Sequence, residues 1–342
     1  MEKAVTMAGP INSRQIEEEI KRALSESAGA ATRASLFNLI IFKQAFQEFG
    51  IDSSLNYILG KRPARIIFID SGFPGQSQAV VSARCYPGST DGAVCFEEVH
   101  IQNGDDDIGR DPGFWSSLII REIPLYVWWL ESLIPFPEIF SQIDELADRF
   151  LINTGVNESL DEDPFQIVQS LAFQLNKNPS MSFADFSWQR IKPLRKGTAA
   201  LFEPEAERHY LTEIEAIVLN GGNSSEGLLY FLWLAERLGW QLKNRDGNKL
   251  LMDKSDGAGI VLNHENKGSL ESGFLLELYI RGGDRMALQC SGDNCALISS
   301  PDSGKRTIAL QLPSQGEILL KEVDSSEADL LYHKALARSA AI

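Results

Sequence analysis

Residues 124–129, PLYVWW, decide how the first half of this chain can fold. They set Trp128 and Trp129 side by side, near the end of an apolar run that Glu131 closes. Neighbouring side chains of a strand point to opposite faces, so two adjacent indoles in a strand call for a sheet covered on both sides. The stretch ARIIFID (64–70) is continuously apolar from Ile66 to Ile69, which is the pattern of a strand lying under helices on both faces. An aromatic platform for a ligand, or a docking surface, is the competing reading of the pair. Trp129 carries that alternative, because it stands at the carboxyl end of its strand, where α/β sheets bind their ligands.

Around these strands the pattern alternates. RQIEEEIKRALS (14–25) reads as a short amphipathic helix, and residues 32–50 as a longer one with Thr32 as cap and Gly50 as stop. QAVVSARCY (78–86) and AVCFEEVHI (93–101) flank the turn PGSTDG as a hairpin. Helices are expected over 112–122, 136–148 and 164–176, with a strand over 149–155. The segment 185–202 reads as a bridging helix bent or divided by Pro193. Beyond it come the strand 214–221, the loop GNSSEG, the helix 228–239, several strand-like runs with turn signals, and a last helix over roughly 326–340. The expected fold is an α/β N-terminal domain, a mixed sheet with helices on both faces, over 1–200 including the bridging helix. An α+β C-terminal domain with a mostly antiparallel sheet follows over 201–342.

A net charge of −15, from 32 basic and 47 acidic side chains, argues against a general nucleic-acid or anionic-membrane binder. The N-terminus lacks the basic-then-apolar order of a secretion signal, and no run of about 18 apolar residues occurs. With only 4 cysteines there is no disulfide scaffold, so the cytoplasm is the expected compartment.

Catalytic signatures are missing. The histidines at 100, 209, 264 and 333 are scattered, and no Cys-x-x-Cys, nucleophile elbow or Walker lysine occurs. No catalytic residue, metal or cofactor is therefore expected. The acidic loop 103–111 lacks the alternating ligands of a calcium loop and reads as a solvated turn. The loop 219–229 could offer backbone N–H groups to an anion, or use Ser224 or Ser225 as a plain helix cap. Cys85 with Cys95, and Cys290 with Cys295, each flank a turn; symmetric pairing would set each couple opposite, within disulfide reach. Either couple is thus a possible redox pair, against the plain reading of reduced thiols. Arg190, Lys192, Arg195 and Lys196 cluster beside Trp188. That composition suits a protein-interface hot spot or an anion site, or else a solvated basic face over a core tryptophan.

Six stretches in order resemble one family. TRASLFNLIIF, RPARIIFID, IPLYVWW, LADRFLINTG, DFSWQRIKPLR and LWLAERLGW are similar to the motifs of the glucose-6-phosphate dehydrogenase assembly protein family, OpcA, from about residue 30 to 240, with the resemblance expected to run on to the end. The resemblance implies a non-catalytic protein that binds glucose-6-phosphate dehydrogenase and promotes its active oligomer or activates it allosterically. Position by position it points to Arg33, Asn38, Arg65, Trp128, Trp129, Asp148, Arg149, Trp188 and Arg190. Departures are Asn153-Thr154, where the family pattern ends Asp-Ser, and Lys192 and Leu194, where Thr and Trp are common. The alternative reading is a sugar-phosphate or nucleotide sensor, or an enzyme, using the 219–229 loop and the 190–196 cluster as anion sites.

Overall fold

The computed structural model describes residues 3–6, 11–27, 35–45, 50–58, 61–87, 93–155, 162–266, 268–292, 294–325 and 327–341. Two compact units emerge, and neither is continuous in sequence. The first comprises Met1–Asn153, Ser180–Ala184 and Gln315–Ala328; the second comprises Thr154–Pro179, Asp185–Ser314 and Asp329–Ile342.

The first unit is built on a mixed sheet of β1 (Lys3–Thr6), β2 (Phe37–Gln44), β3 (Ala64–Ser71), β4 (Gln78–Pro87), β5 (Ala93–Asn103), β6 (Leu125–Trp129), β7 (Arg149–Ile152) and β8 (Phe183–Asp185). Their order is β1-β4-β5-β3-β2-β6-β7-β8. The inner pairs β5–β3, β3–β2, β2–β6 and β6–β7 are parallel, while β4–β5 is the expected antiparallel hairpin. The helix expected over 32–50 is a misreading. Its described core, Phe37–Gln44, is the strand between β3 and β6, with its first six residues buried. A short apolar run such as FNLIIF has no period to separate a buried strand from a buried helix, and burial on two faces decided for the strand. Gly50, at φ +67°, turns the chain into the helix α2 (Ile51–Ile58), after α1 (Ser13–Ser27). Thr32 lies outside the described residues.

The tryptophan pair sits as a doubly covered sheet requires. Trp128 stands between Ile41 and Leu151, and Trp129 between Phe42 and Ile152. Both are buried, so the platform reading falls. The Trp129 ring lies 5.0 Å from those of Phe42 and Phe140, and its Nε1 donates to the Ser132 carbonyl at 2.9 Å. The helices around the sheet are shorter than expected: α3 is one turn (Pro112–Trp115) and α4 covers Glu138–Ile143. Nothing in the sequence reading anticipated α10 (Gln315–Val323), which packs on α2. The approach is so close that a Cβ at Gly316 would stand 2.5 Å from the Tyr57 Cβ.

In the second unit the strands are β9 (Ile214–Asn220), β10 (Gln241–Asp246), β11 (Lys249–Asp253), β12 (Gly259–Glu265), β13 (Phe274–Ile280), β14 (Arg285–Cys290), β15 (Cys295–Ser300) and β16 (Gly304–Ala309). They form a sheet in the order β10-β11-β12-β9-β13-β14-β15-β16, antiparallel except for β12–β9. Burial alternates along its strands, and Val261, Tyr279 and Leu297 are exposed. The remaining helices are α5 (Pro164–Lys177), α6 (Phe186–Arg190), α7 (Lys192–Leu201), α8 (Tyr210–Glu213), α9 (Ser224–Leu238) and α11 (Leu330–Ala337). The bridging segment divides at Ile191, with Pro193 in the first turn of α7, where its missing N–H costs nothing. The helix α7 packs on β14 and β15, and a Cβ at Gly197 would meet Leu288 at 2.7 Å. The last helix is shorter than the expected 326–340.

Trp128→Ala is expected to remove about 3–5 kcal/mol of stability through the cavity it leaves. Urea unfolding measures this, and a loss near zero would mean that the indole is not packed on both sides.

Candidate functional site

The charged residues that the sequence singles out fall into two groups, and the first group is consumed by the fold. On β3, Arg65 is buried; it pairs with Glu97 on β5, with Glu17 on α1 at 2.6 Å, and donates to the Leu118 carbonyl at 2.6 Å. Asn38 on β2 binds the backbone of Ile120 in both directions at 2.9 Å, as a strand neighbour would. Asp148 accepts from the Leu125 N–H at 2.8 Å and so fixes the start of β6. Arg149 is buried against Glu322 at 2.7 Å, and also donates to Ser182 Oγ at 3.2 Å and to the Glu327 carbonyl. Its partners come from each of the other two segments of the first unit. One guanidinium therefore ties that discontinuous unit together. Arg33 lies outside the described residues.

Asp185 does the same for the second unit, and the sequence reading did not select it. Its carboxylate accepts from the Thr154 N–H at 3.2 Å and Thr154 Oγ1 at 2.9 Å, from the Ser187 N–H at 3.0 Å, and from the Tyr332 hydroxyl at 3.1 Å. Those groups represent all three segments of the unit. Complete burial outweighs the donors and pushes its carboxyl up to about 6. The readable signal was local: Asp185 is the N-cap of α6.

The two couples of cysteines part ways. The hairpin register sets Cys85 opposite Cys95, although their side chains lie outside the described part. Cys290 pairs with Ala296 instead, is free and faces the core, whereas Cys295 is free and exposed. The tight turn shifts the register by one residue, so these two thiols point to opposite faces of the sheet. They do not form the expected opposed pair. At the 219–229 loop the cap is Asn223, not Ser224 or Ser225. It forms a capping box with Glu226, whose buried carboxylate accepts from the Asn223 N–H and from Arg190 at 2.8 Å. Burial raises the Glu226 carboxyl despite that arginine. A carboxylate thus already stands where an anion was expected. Likewise each aspartate of the acidic loop has a local donor, Asp105 from Gly75 N–H, Asp106 from Ser77, Asp107 from Asn103 and Asp111 from Gly113 N–H.

The basic cluster is the part that reaches the surface. Trp188 itself is buried, so it is not the exposed aromatic of a hot spot. Its ring lies 5.3 Å from that of Tyr332 and its Nε1 donates to Asp329 at 2.7 Å. The Arg195 guanidinium stacks on its face, 3.6 Å from the ring centre, and donates to the Trp188 carbonyl at 3.1 Å. Arg190 is half-buried and turned away to Glu226, Ser269 and Glu271. Lys192 is half-buried and Lys196 exposed. Lys192, Arg195, Lys196 and Ala199 of α7, Trp233 of α9, and Asp329 and Leu331 at the start of α11 line an open depression of about 360 Å³. Among the described residues no group of three or more histidine, cysteine, aspartate or glutamate side chains could hold a metal ion, and no helix is long and apolar enough to cross a membrane.

Residues 56–167 match the domain family described as the glucose-6-phosphate dehydrogenase subunit N-terminal domain, and residues 181–336 match its C-terminal counterpart; both bear the OpcA name. This chain belongs to the OpcA family. OpcA of Synechococcus elongatus, named for the OxPP cycle, is 30% identical over 192 residues, 54% of this chain and 42% of that protein. The OpcA of Synechocystis is 28% identical over 193 residues, 54% of this chain and 38% of that protein. The match therefore spans well under two thirds of these relatives' own lengths. Among solved structures, the 3-ketoreductase KijD10 of Actinomadura kijaniata aligns over 89% of this chain and 95% of its own, with a TM-score of 0.49 and 10% identity. At that level the likeness carries no chemistry to this chain. Within the OpcA pattern, the departure Asn153-Thr154 keeps the hydroxyl, since Thr154 Oγ1 is the group that binds Asp185.

Asp185 binds its proton more tightly folded, at about 6, than at the ordinary 3.8 of the unfolded chain. Its contribution to stability is therefore greatest below pH 4 and is lost as pH rises towards 6, by about 3 kcal/mol. Unfolding free energies of wild type and Asp185→Asn between pH 4 and 7 measure it, and parallel profiles would refute the assignment.

Proposed function

We propose that this OpcA-family chain is a non-catalytic cytoplasmic protein that binds glucose-6-phosphate dehydrogenase and promotes its active oligomer or its allosteric activation in the oxidative pentose phosphate pathway. The observation that carries the proposal is the pair of glucose-6-phosphate dehydrogenase subunit domains matched over residues 56–167 and 181–336. The local chemistry supports it. Arg65, Arg149, Asp185 and Glu226, four of the buried charged residues, are each bound to structural partners. Trp129, Trp188, Arg65 and Arg149 then serve partner binding indirectly, by holding the units in shape. Of the candidates in the basic cluster, Lys196 is exposed and Arg190 and Lys192 are partly so.

An activator must bind the active state of its target better than the inactive one, and about 1–3 kcal/mol of difference shifts the equilibrium 5- to 150-fold. Titrating the chain into purified dehydrogenase is accordingly expected to raise its rate or substrate affinity, and to shift its sedimentation towards a larger species. Rate, affinity and sedimentation that all stay constant would refute the proposal. The capping box at Asn223 favours no second reading through the 219–229 loop.

A further inference from the structure

We propose that the uncovered face of the second unit's sheet is where two copies of this chain join, sheet against sheet. One face of that sheet is covered by helices. A Cβ at Gly197 of α7 would meet buried Leu288 of β14, and one at Gly227 of α9 would meet buried His264 of β12. On the opposite face no outward position of β9 or β11–β16 is buried. An antiparallel sheet that leaves one face to water normally reads polar there. This one does not. Leu251, Val261, Ala216 and Tyr279 stand side by side across four neighbouring strands, close enough for side chains to touch. Val218, Leu275 and Leu297 point to the same side and extend the apolar field. Singly scattered exposed residues need no explanation, whereas a contiguous apolar field marks an interaction site.

Charge selects a second copy as the occupant. The chain carries −15, so two copies repel over most of their surfaces. The outward positions of β9 and β11–β16 carry Lys249, Arg285 and Lys305 against Asp253, Glu265 and Glu277, three of each sign. The margins add matched signs too, Lys243 with Asp246 on β10, and Glu215 paired with Arg281 at 3.4 Å. The face is therefore locally neutral, and identical faces can meet there without like-charge repulsion. Near the middle of the sheet, Glu277 accepts from Arg285 at 2.7 Å and from the Tyr279 hydroxyl at 3.3 Å, so covering it strands no lone carboxylate. Lys249, Asp253 and Lys305 lie on β11 and β16, towards the sheet edges, which gives an apolar middle and a charged rim. Area agrees as well. Eight strands about 4.8 Å apart, each of about six residues rising about 3.4 Å, present about 700 Å². Two such faces cover about 1,400 Å², within the size of a stable, specific interface. An isologous pair needs only this one surface.

Analytical ultracentrifugation of the full chain tests this. The chain is expected to dimerise with a dissociation constant of about 1 μM or tighter, the range of interfaces of this size. Val261→Glu and Leu297→Glu, both at exposed positions, each bring two unpaired carboxylates between the faces. Each should weaken the dimer by about tenfold or more while circular dichroism stays unchanged. Phe173→Glu, exposed on the helix α5, should leave dimerisation as it is. A chain that is still monomeric at about 100 μM would overturn the proposal, a hundredfold above the expected constant. A dimer untouched by both face variants would overturn it too. So would a monomeric chain whose binding to glucose-6-phosphate dehydrogenase is lost in Val261→Glu, which would give the face to that enzyme instead.

Discussion

Two buried charges hold together what the chain order separates. Arg149 collects Glu322, Glu327 and Ser182 in the first unit, and Asp185 collects Thr154, Ser187 and Tyr332 in the second. In each case the charged group touches all the segments from which its unit is built. Breaking such a buried contact from one side leaves an unpaired charge in an apolar interior, typically at about 3–5 kcal/mol. Both contacts lie in stretches that carry the family resemblance, Asp148-Arg149 and Asp185-x-x-Trp188.

The same logic separates structural from functional charge in the 190–196 cluster. Arg190 is answered by Glu226 and Glu271, whereas Arg195 stacks on an indole face, donates to a carbonyl and feels the charge of Asp329. Stacking on Trp188 holds the guanidinium in place without neutralising it. Lys192, Arg195 and Lys196 share one face of α7, with Arg237 and Asp329 nearby.

Much of this was legible beforehand where a local rule operates. The adjacent Trp128 and Trp129 required a doubly covered sheet, and the hairpin turn placed Cys85 opposite Cys95. Pro193 divided the bridging helix. The rest failed where only distant contacts decide. FNLIIF has no polar residue spaced to betray its period except Asn38, whose side chain is satisfied by a loop 82 residues away. The helix α10 was overlooked because its partner α2 lies far back in the chain. A one-residue shift in the Cys290–Cys295 turn, invisible in the spacing, sent the two thiols to opposite faces.

By itself, then, the sequence determined the strands that period and composition mark, the layered class of both halves, the missing catalytic signatures and the family. These depend on neighbours along the chain, or on the order of short motifs. Only the tertiary structure decided which arginines and tryptophans are consumed by the fold. Whether a buried ion has found its counter-ion is settled by groups brought together across the chain, and linear spacing does not encode that distance.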